Sequence, residues 1–305
     1  MIKSALLIGC GDIGANYDFD SDTVLTHAKA LSKLKWIKNI DVFDTNISQV
    51  KKISKKYNFR PLNSLEAINF KNYHLVCIST PTNTHYDYLN FCLKSNVPLI
   101  VCEKPVSNSI FELDKILNLY KSSKSRIIVN YFRRFSVNYL KVVNEIKDIK
   151  QTLKKVTIKY NKGFLNNCGH AFDIIEFLTK TNLKPVNVKV QKKIYDFFPD
   201  DPTISTSFLS GNTEFIVIGN ELKNKIFEIN FCYDNSNILM KNSGNDIQFY
   251  KKNYLSIEFN GLLRDYMKDV YETVKKLYIN KDLGDNFERS IELNKKQILN
   301  FLYEK

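Results

Sequence analysis

The stretch Leu165-Asn166-Asn167-Cys168-Gly169-His170-Ala171-Phe172-Asp173 puts a thiol, an imidazole and a carboxylate within six positions. Three chemistries use such residues: a Cys–His nucleophile, a metal site, or proton exchange with a substrate hydroxyl. Cys168 and His170 stand two apart at the start of a helical pattern, so their side chains diverge, and no oxyanion motif accompanies them. A metal needs third and fourth ligands that the neighbouring sequence does not offer, so no metal site is expected. Proton exchange near neutral pH suits a histidine. Taken alone, His170 reads as a capped or core residue.

Other stretches change that balance. Gly9-Cys10-Gly11-Asp12-Ile13-Gly14 is G-x-G-x-x-G directly after the apolar run Ile2–Ile8, the context a dinucleotide fingerprint requires. Gly9 permits the tight turn, Gly11 lets the backbone approach a pyrophosphate, and Gly14 allows close helix–strand packing. The amino end of the following helix supplies N–H donors. Asp44 ends the second strand, 30 residues past Gly14. The usual gap is about 20 residues; the segment 15–25 reads as an insertion, either a lid or a surface loop. A carboxylate there accepts from ribose hydroxyls and repels a 2′-phosphate. Thr45 and Asn46 follow it, not Arg, so NAD is favoured over NADP.

Thr80-Pro81-Thr82-Asn83-Thr84-His85 and Glu103-Lys104-Pro105 each follow a buried strand, at the end where α/β sheets bind ligands. Pro105 fixes the chain so that Lys104 stands over the crevice. An ammonium there stabilises developing alkoxide charge and lowers the pKa of a nearby histidine, while the cofactor carries the hydride. Arg133 and Arg134 lie at a junction, where they either contact a substrate phosphate or carboxylate or brace a hinge.

The elements that must position these residues are legible as periodicities. Continuous apolar strands at 2–8, 40–43, 75–79, 98–102 and 126–131 alternate with helical patterns at 27–36, 47–57, 85–95 and 110–122. That predicts a doubly wound parallel sheet covered on both faces. Beyond about residue 135 a helix at 137–149 and a strand at 156–160 precede the helix at 169–179. Strands at 186–191, 205–209, 214–218, 225–233, 238–241 and 246–250 follow, with turn residues between them, and then helices at 262–278 and 286–303. This predicts an α+β domain with an open, largely antiparallel sheet. The expected division is 1–121 for a dinucleotide-binding domain and 122–305 for a substrate and oligomerisation domain, with the last helices free to pack back on the first.

Composition excludes several classes. The 305 residues carry a net charge of +13, but only six of the 45 basic residues are Arg and the lysines are spread throughout. A solvated lysine-rich surface is expected rather than a nucleic-acid site, with a field that favours anionic ligands. The six cysteines are scattered without a C-x-x-C pair and read as buried hydrophobes in a reducing compartment. No apolar run of membrane-spanning length and no signal-peptide pattern occurs, so a cytoplasmic protein is expected.

The fingerprint at 9–14, the T-P-x-x-x-H stretch at 80–85, E-K-P at 103–105 and H-x-x-D at 170–173 occur in the order that resembles the glucose–fructose oxidoreductase / inositol dehydrogenase (Gfo/Idh/MocA) family. The resemblance covers roughly the first 175 residues. It implies a Rossmann domain plus an α+β domain, with a nicotinamide at the cleft between them. The substrate would be a sugar, nucleotide sugar or cyclitol. Lys104 would contact the reacting hydroxyl or carbonyl, and His170 would give or take the proton. Thr80, Pro81, His85 and Glu103 would line the cofactor side or brace the loop, with Gly9, Gly11, Asp12, Ile13, Gly14 and Asp44 on the cofactor. Asn166, Asp173 and Arg133 would face the substrate. Homo-oligomers through the second sheet would be in keeping. One departure stands out: the family commonly has an Asp four residues before the His, where this chain has Asn166. An amide hydrogen-bonds a sugar hydroxyl but takes up no proton. The alternative is therefore a dinucleotide-binding regulator or sensor without catalysis.

Overall fold

A computed structural model describes residues 2–146, 151–221 and 223–303. The chain divides into two compact units, Met1–Phe132 with Asp265–Glu292, and Arg133–Arg264 with Leu293–Lys305.

The first unit is built on a six-stranded parallel sheet of β1 (Ile2–Ile8), β2 (Ile37–Phe43), β3 (Arg60–Pro61), β4 (Leu75–Ile78), β5 (Leu99–Cys102) and β6 (Arg126–Val129). Their order is β3-β2-β1-β4-β5-β6. Every residue of β4 and β5 is buried, as expected of strands covered on both faces. The strand order reverses between β1 and β4, which makes the crevice at their carboxyl ends the place for a ligand. The helices α1 (His27–Ser32), α2 (Ile47–Tyr57), α3 (His85–Lys94) and α4 (Ile110–Ser122) connect the strands. Side-chain caps start three of them: Thr26 on α1, Asn46 on α2 and Ser109 on α4. α1 stops four residues short of the expected 36. A segment from the far end of the chain completes the unit. α7 (Tyr266–Ile279) buries Met267, Val270, Tyr271, Val274 and Leu277, a one-sided stripe that packs over α1 and β5. Asn286 then caps the open edge of β6, its amide accepting from the Val129 N–H and donating to the Val129 carbonyl, both at 2.9 Å. The first unit thus runs past residue 121, because β6 pairs with β5 and belongs to its sheet.

The second unit carries an eight-stranded sheet of β7 (Leu153–Tyr160), β8 (Val186–Ile194), β9 (Thr203–Ser210), β10 (Thr213–Gly219), β11 (Phe227–Tyr233), β12 (Ser236–Lys241), β13 (Asp246–Lys251) and β14 (Tyr254–Phe259). The order is β14-β13-β12-β11-β7-β10-β9-β8. β7 and β10 run parallel and the other pairs antiparallel. α5 (Val137–Ile146) and α6 (Gly169–Thr179) belong to this unit, and the division between the units falls within α8 (Phe287–Gln297). Residues 147–149 of the expected helix lie outside the described residues. An aromatic cluster packs α6 on the sheet: Phe172 stacks on Phe208 at 5.9 Å, and Phe208 lies parallel to Phe215 at 4.7 Å. Phe164 and Phe301 close it at 4.9 Å.

Candidate active site

At the switch point of the first sheet the three fingerprint glycines do different work. Gly9 has φ +97°, and a Cβ there would sit 2.6 Å from the Ser79 carbonyl oxygen. A Cβ on Gly14 would collide with the Gly9 carbonyl. These two are required by the fold itself. Gly11 has no atom within 4 Å of its would-be Cβ, so the space above it is open to a ligand. Asp44 joins β2 to this turn: its carboxylate accepts from the Cys10 N–H at 2.6 Å and the Asn46 N–H at 2.7 Å. A carboxylate has about four lone-pair sites, so ribose hydroxyls can still be accepted. Asp12 and Ile13 open a short π-helical segment, Asp12–Asn16, before the chain leaves the helical path. Burial and Asp44 push the Cys10 thiol up to about 12, so it stays a neutral thiol.

The segment 15–25 is a folded loop. The buried Asp18 carboxylate accepts from Leu25 N–H, Thr26 N–H and the Thr26 hydroxyl at 2.6, 2.9 and 2.7 Å. The Lys29 ammonium donates to the Asp18 and Ser21 carbonyls. Phe19 lies under the ammonium groups of Lys52 and Lys56 from α2, 4.1 and 4.7 Å from the ring centre.

The Thr80–His85 stretch closes on itself. The Thr84 hydroxyl bonds the Thr80 hydroxyl and the Pro81 carbonyl, both at 2.8 Å. His85 is buried, with Nε2 2.9 Å from the Thr80 carbonyl and Nδ1 2.8 Å from the Pro105 carbonyl. Burial holds its pKa below the ordinary value, against the upward pull of those carbonyls. Glu103, also buried, accepts from Asn130 Nδ2 at 2.6 Å and sits 2.9 Å from His27 Nε2 through the same oxygen. Its other oxygen accepts the Lys104 N–H at 3.4 Å. His27 Nδ1 reaches the Tyr271 hydroxyl at 3.0 Å. Burial pushes the Glu103 pKa upward, but His27, Lys104 and Asn130 outweigh it and hold the carboxyl below its ordinary value. For His27, burial pulls down, while Cys77 and Glu103 raise it to about 10. The peptide Lys104–Pro105 is cis. Glu103 and His85 therefore have the partners of bracing residues, and His27, Asn130 and Tyr271 join them from outside every motif.

In the second unit a π-helical turn, Gly163–Cys168, leads into α6. Asp201 holds it: its carboxylate accepts the Leu165 N–H at 2.7 Å and the Asn166 N–H at 2.9 Å. Gly163 has φ +82°, and its missing Cβ makes room for Asp201. Asn166 and His170 are part-exposed on this turn and the first turn of α6. Cys168 is fully buried, and burial, then Asp201, push its thiol well above the ordinary value. Asp173 is buried and ion-paired: Arg134 Nε donates to it at 3.0 Å and Nη2 to its carbonyl at 3.2 Å. Arg133 is buried over the Phe227 ring at 4.8 Å and donates to the Ser243 carbonyl. Asp173 and Arg133 thus each have a partner within the second unit. Asp201 was invisible as a site residue, because its partners are backbone N–H groups 35 and 36 positions earlier. Among the described residues no group of three or more His, Cys, Asp and Glu is placed to hold a metal.

Residues 3–131 match the family model described as the oxidoreductase family, NAD-binding Rossmann fold (GFO_IDH_MocA). The first unit is thus similar to the NAD-binding Rossmann domain of that family. Inositol 2-dehydrogenase of Arthrobacter sp. (strain FB24) is 30% identical over 142 residues, covering 42% of this chain and 41% of that protein. The chain thus spans about two-fifths of the length of the curated relatives it matches. Solved structures of similar fold cover nearly the whole chain. UDP-N-acetylglucosamine 3-dehydrogenase GnnA from Acidithiobacillus ferrooxidans has a TM-score of 0.78 at 13% identity, over 99% of this chain and 97% of that one. KijD10, a 3-ketoreductase from Actinomadura kijaniata in complex with NADP and TDP-benzene, has a TM-score of 0.78 at 9% identity, over 97% and 94%. The α/β fold of these structures, a parallel sheet followed by a largely antiparallel one, is therefore the fold of this chain, and among its described residues no helix is long and apolar enough to cross a membrane.

Proposed function

We propose that this protein is an NAD-dependent oxidoreductase that moves a hydride between a nicotinamide and a hydroxyl or carbonyl of a sugar, nucleotide sugar or cyclitol. The observation that carries the reading is Lys104. It stands in a tightly braced turn at the carboxyl end of β5, in the same Rossmann unit as an open Gly11 cradle. The residues fit a dinucleotide: Gly11 leaves room for the pyrophosphate, and Asp44 presents acceptors to a ribose. Asp44 also repels a 2′-phosphate, which favours NAD over NADP. When bound, the nicotinamide supplies the hydride acceptor or donor.

The chain's own residues handle the rest. The Lys104 ammonium stabilises negative charge on the reacting oxygen, and His170 takes up or returns the hydroxyl proton. Asn166 donates to or accepts from a substrate hydroxyl without titrating. The names of similar proteins, inositol 2-dehydrogenase and UDP-N-acetylglucosamine 3-dehydrogenase, set the first candidates: myo-inositol and UDP-N-acetylglucosamine. Thermal-shift screening with NAD, NADP and these compounds tests binding by linkage. A rise with NAD larger than with NADP is expected; a response to neither overturns the cofactor assignment. The neutral Asn166 favours a second reading, a dinucleotide sensor, which predicts an NAD response with no turnover of any sugar. We also propose assembly into homo-oligomers through the second sheet, since Tyr254, Leu255 and Ile257 of β14 are exposed. A monomeric mass by light scattering at micromolar concentration would exclude it.

A further inference from the structure

The turn that carries Lys104 is held from both sides by a buried histidine. On the amino side, His27 Nε2 lies 2.9 Å from Glu103 Oε1, and the same oxygen accepts from Asn130 at 2.6 Å. His27 itself is fixed on the far side, its Nδ1 3.0 Å from the Tyr271 hydroxyl and its ring edge-on to Tyr271 at 5.9 Å. On the carboxyl side, His85 Nδ1 lies 2.8 Å from the Pro105 carbonyl, while Nε2 reaches the Thr80 carbonyl at 2.9 Å. His27 is fully buried and His85 nearly so, which leaves neither ring in a position to meet a substrate. A buried carboxylate is costly unless it is paired and hydrogen-bonded; Glu103 is, and both histidines direct a ring nitrogen at this one turn.

We propose that His27 and His85 are positioning residues for Lys104. Together they fix the peptide units on either side of it, so that its ammonium is presented at one place above the carboxyl end of β5. His27 acts through Glu103. His85 lies between the Pro105 and Thr80 carbonyls and, as a neutral ring with one N–H, donates to one of them while packing the two turns together. This inference rests on the catalytic reading of Lys104 for its consequence in turnover, but the geometry stands without it.

The test reads position and turnover separately, in the 305-residue chain. Position is measured by lysine footprinting: the rate of Lys104 acylation by an N-hydroxysuccinimide ester, followed by mass spectrometry. Turnover is measured as NADH formation with myo-inositol or UDP-N-acetylglucosamine. His27→Ala should change the acylation rate of Lys104 several-fold and lower kcat on the order of 10²-fold, the scale of an ångström-level misplacement. The NADH dissociation constant should move less than about threefold, as expected of a group that orients a catalytic residue rather than binding cofactor. His27→Gln, whose amide can still donate to Glu103, should recover most of both effects. Tyr271→Phe is the milder probe should His27→Ala fail to fold; it should move both readouts in the same direction, by less. His85→Asn should exceed His85→Ala in kcat. An unchanged Lys104 acylation rate in His27→Ala, or equal behaviour of the Ala and Gln variants, overturns the proposal. A changed acylation rate with unchanged turnover, or no turnover by the parent, leaves the positioning in place and removes the catalytic reading of Lys104.

Discussion

Two turns carry the residues assigned to chemistry, and they are held by opposite means. The turn 103–105 in the first unit is fixed by side chains from distant positions: His27 and Asn130 on the Glu103 carboxylate, and His85 at the Pro105 carbonyl. The turn 163–168 in the second unit is fixed by one carboxylate, Asp201, acting on backbone N–H groups. The support of Lys104 includes His27, whose pKa is raised to about 10, and is tied to that protonation state. The turn before His170 rests on backbone N–H groups gathered on one carboxylate.

The largest effect that sharpens this contrast is on turnover. His170→Ala should lower kcat by about 10²–10⁴-fold, the range of a lost general acid–base group, with NADH binding retained. A parental kcat would remove His170 from the mechanism. Next comes the backbone anchor. Asp201→Ala strands one buried and one part-buried N–H donor and should cost about 2–4 kcal/mol by chemical denaturation. Asp201→Asn should recover part of that, since its amide oxygen still accepts. A loss within experimental scatter would mean that other contacts hold the turn.

The pH response is smaller and has a definite sign. The pKa of His27 is raised by its surroundings from 6.5 to about 10. Its contribution to stability is therefore full below about 6.5, the unfolded value, and is lost as pH climbs toward 10. The parent should lose stability across that window, and His27→Gln should flatten the slope. A parental slope in the variant would contradict a charged His27–Glu103 pair. The smallest effect belongs to Cys168, which is fully buried with its thiol pushed well above the ordinary value. Cys168→Ala should keep kcat within about twofold, and iodoacetamide should leave Cys168 unlabelled in the native protein, as for a buried structural thiol.

The same contrast explains what the sequence disclosed. The parallel sheet was legible because strands buried on both faces, such as Leu75–Ile78 and Leu99–Cys102, are continuous apolar runs. β14 was not read, although Leu255, Ile257 and Phe259 alternate with Ser256 and Glu258; its residues are mostly exposed, so no continuous buried run marks it. Neither was β3, two residues long and ending in a proline at the sheet edge. Of the candidate site, the motifs located Gly9, Gly14 and Lys104 because each answers to a local requirement of backbone or chemistry. The partners that hold them lie far off in sequence: His27 is 76 positions from Glu103, and Tyr271 is 244 from His27. No local pattern encodes such contacts. Asp173 and Arg133 suit a substrate by type; what the sequence does not disclose is that Asp173 pairs with Arg134 and that Arg133 donates to the Ser243 carbonyl.

The central claim, that Lys104 works on a reacting oxygen beside a nicotinamide, is tested most directly by steady-state NADH formation in the parent and in Lys104→Ala. Myo-inositol and UDP-N-acetylglucosamine are the first substrates to try. The account predicts turnover by the parent and a fall on the order of 10²–10³-fold in kcat for the variant, the scale of losing one electrostatic stabiliser of the transition state, with NADH affinity preserved. Equal kcat in the two proteins would contradict it.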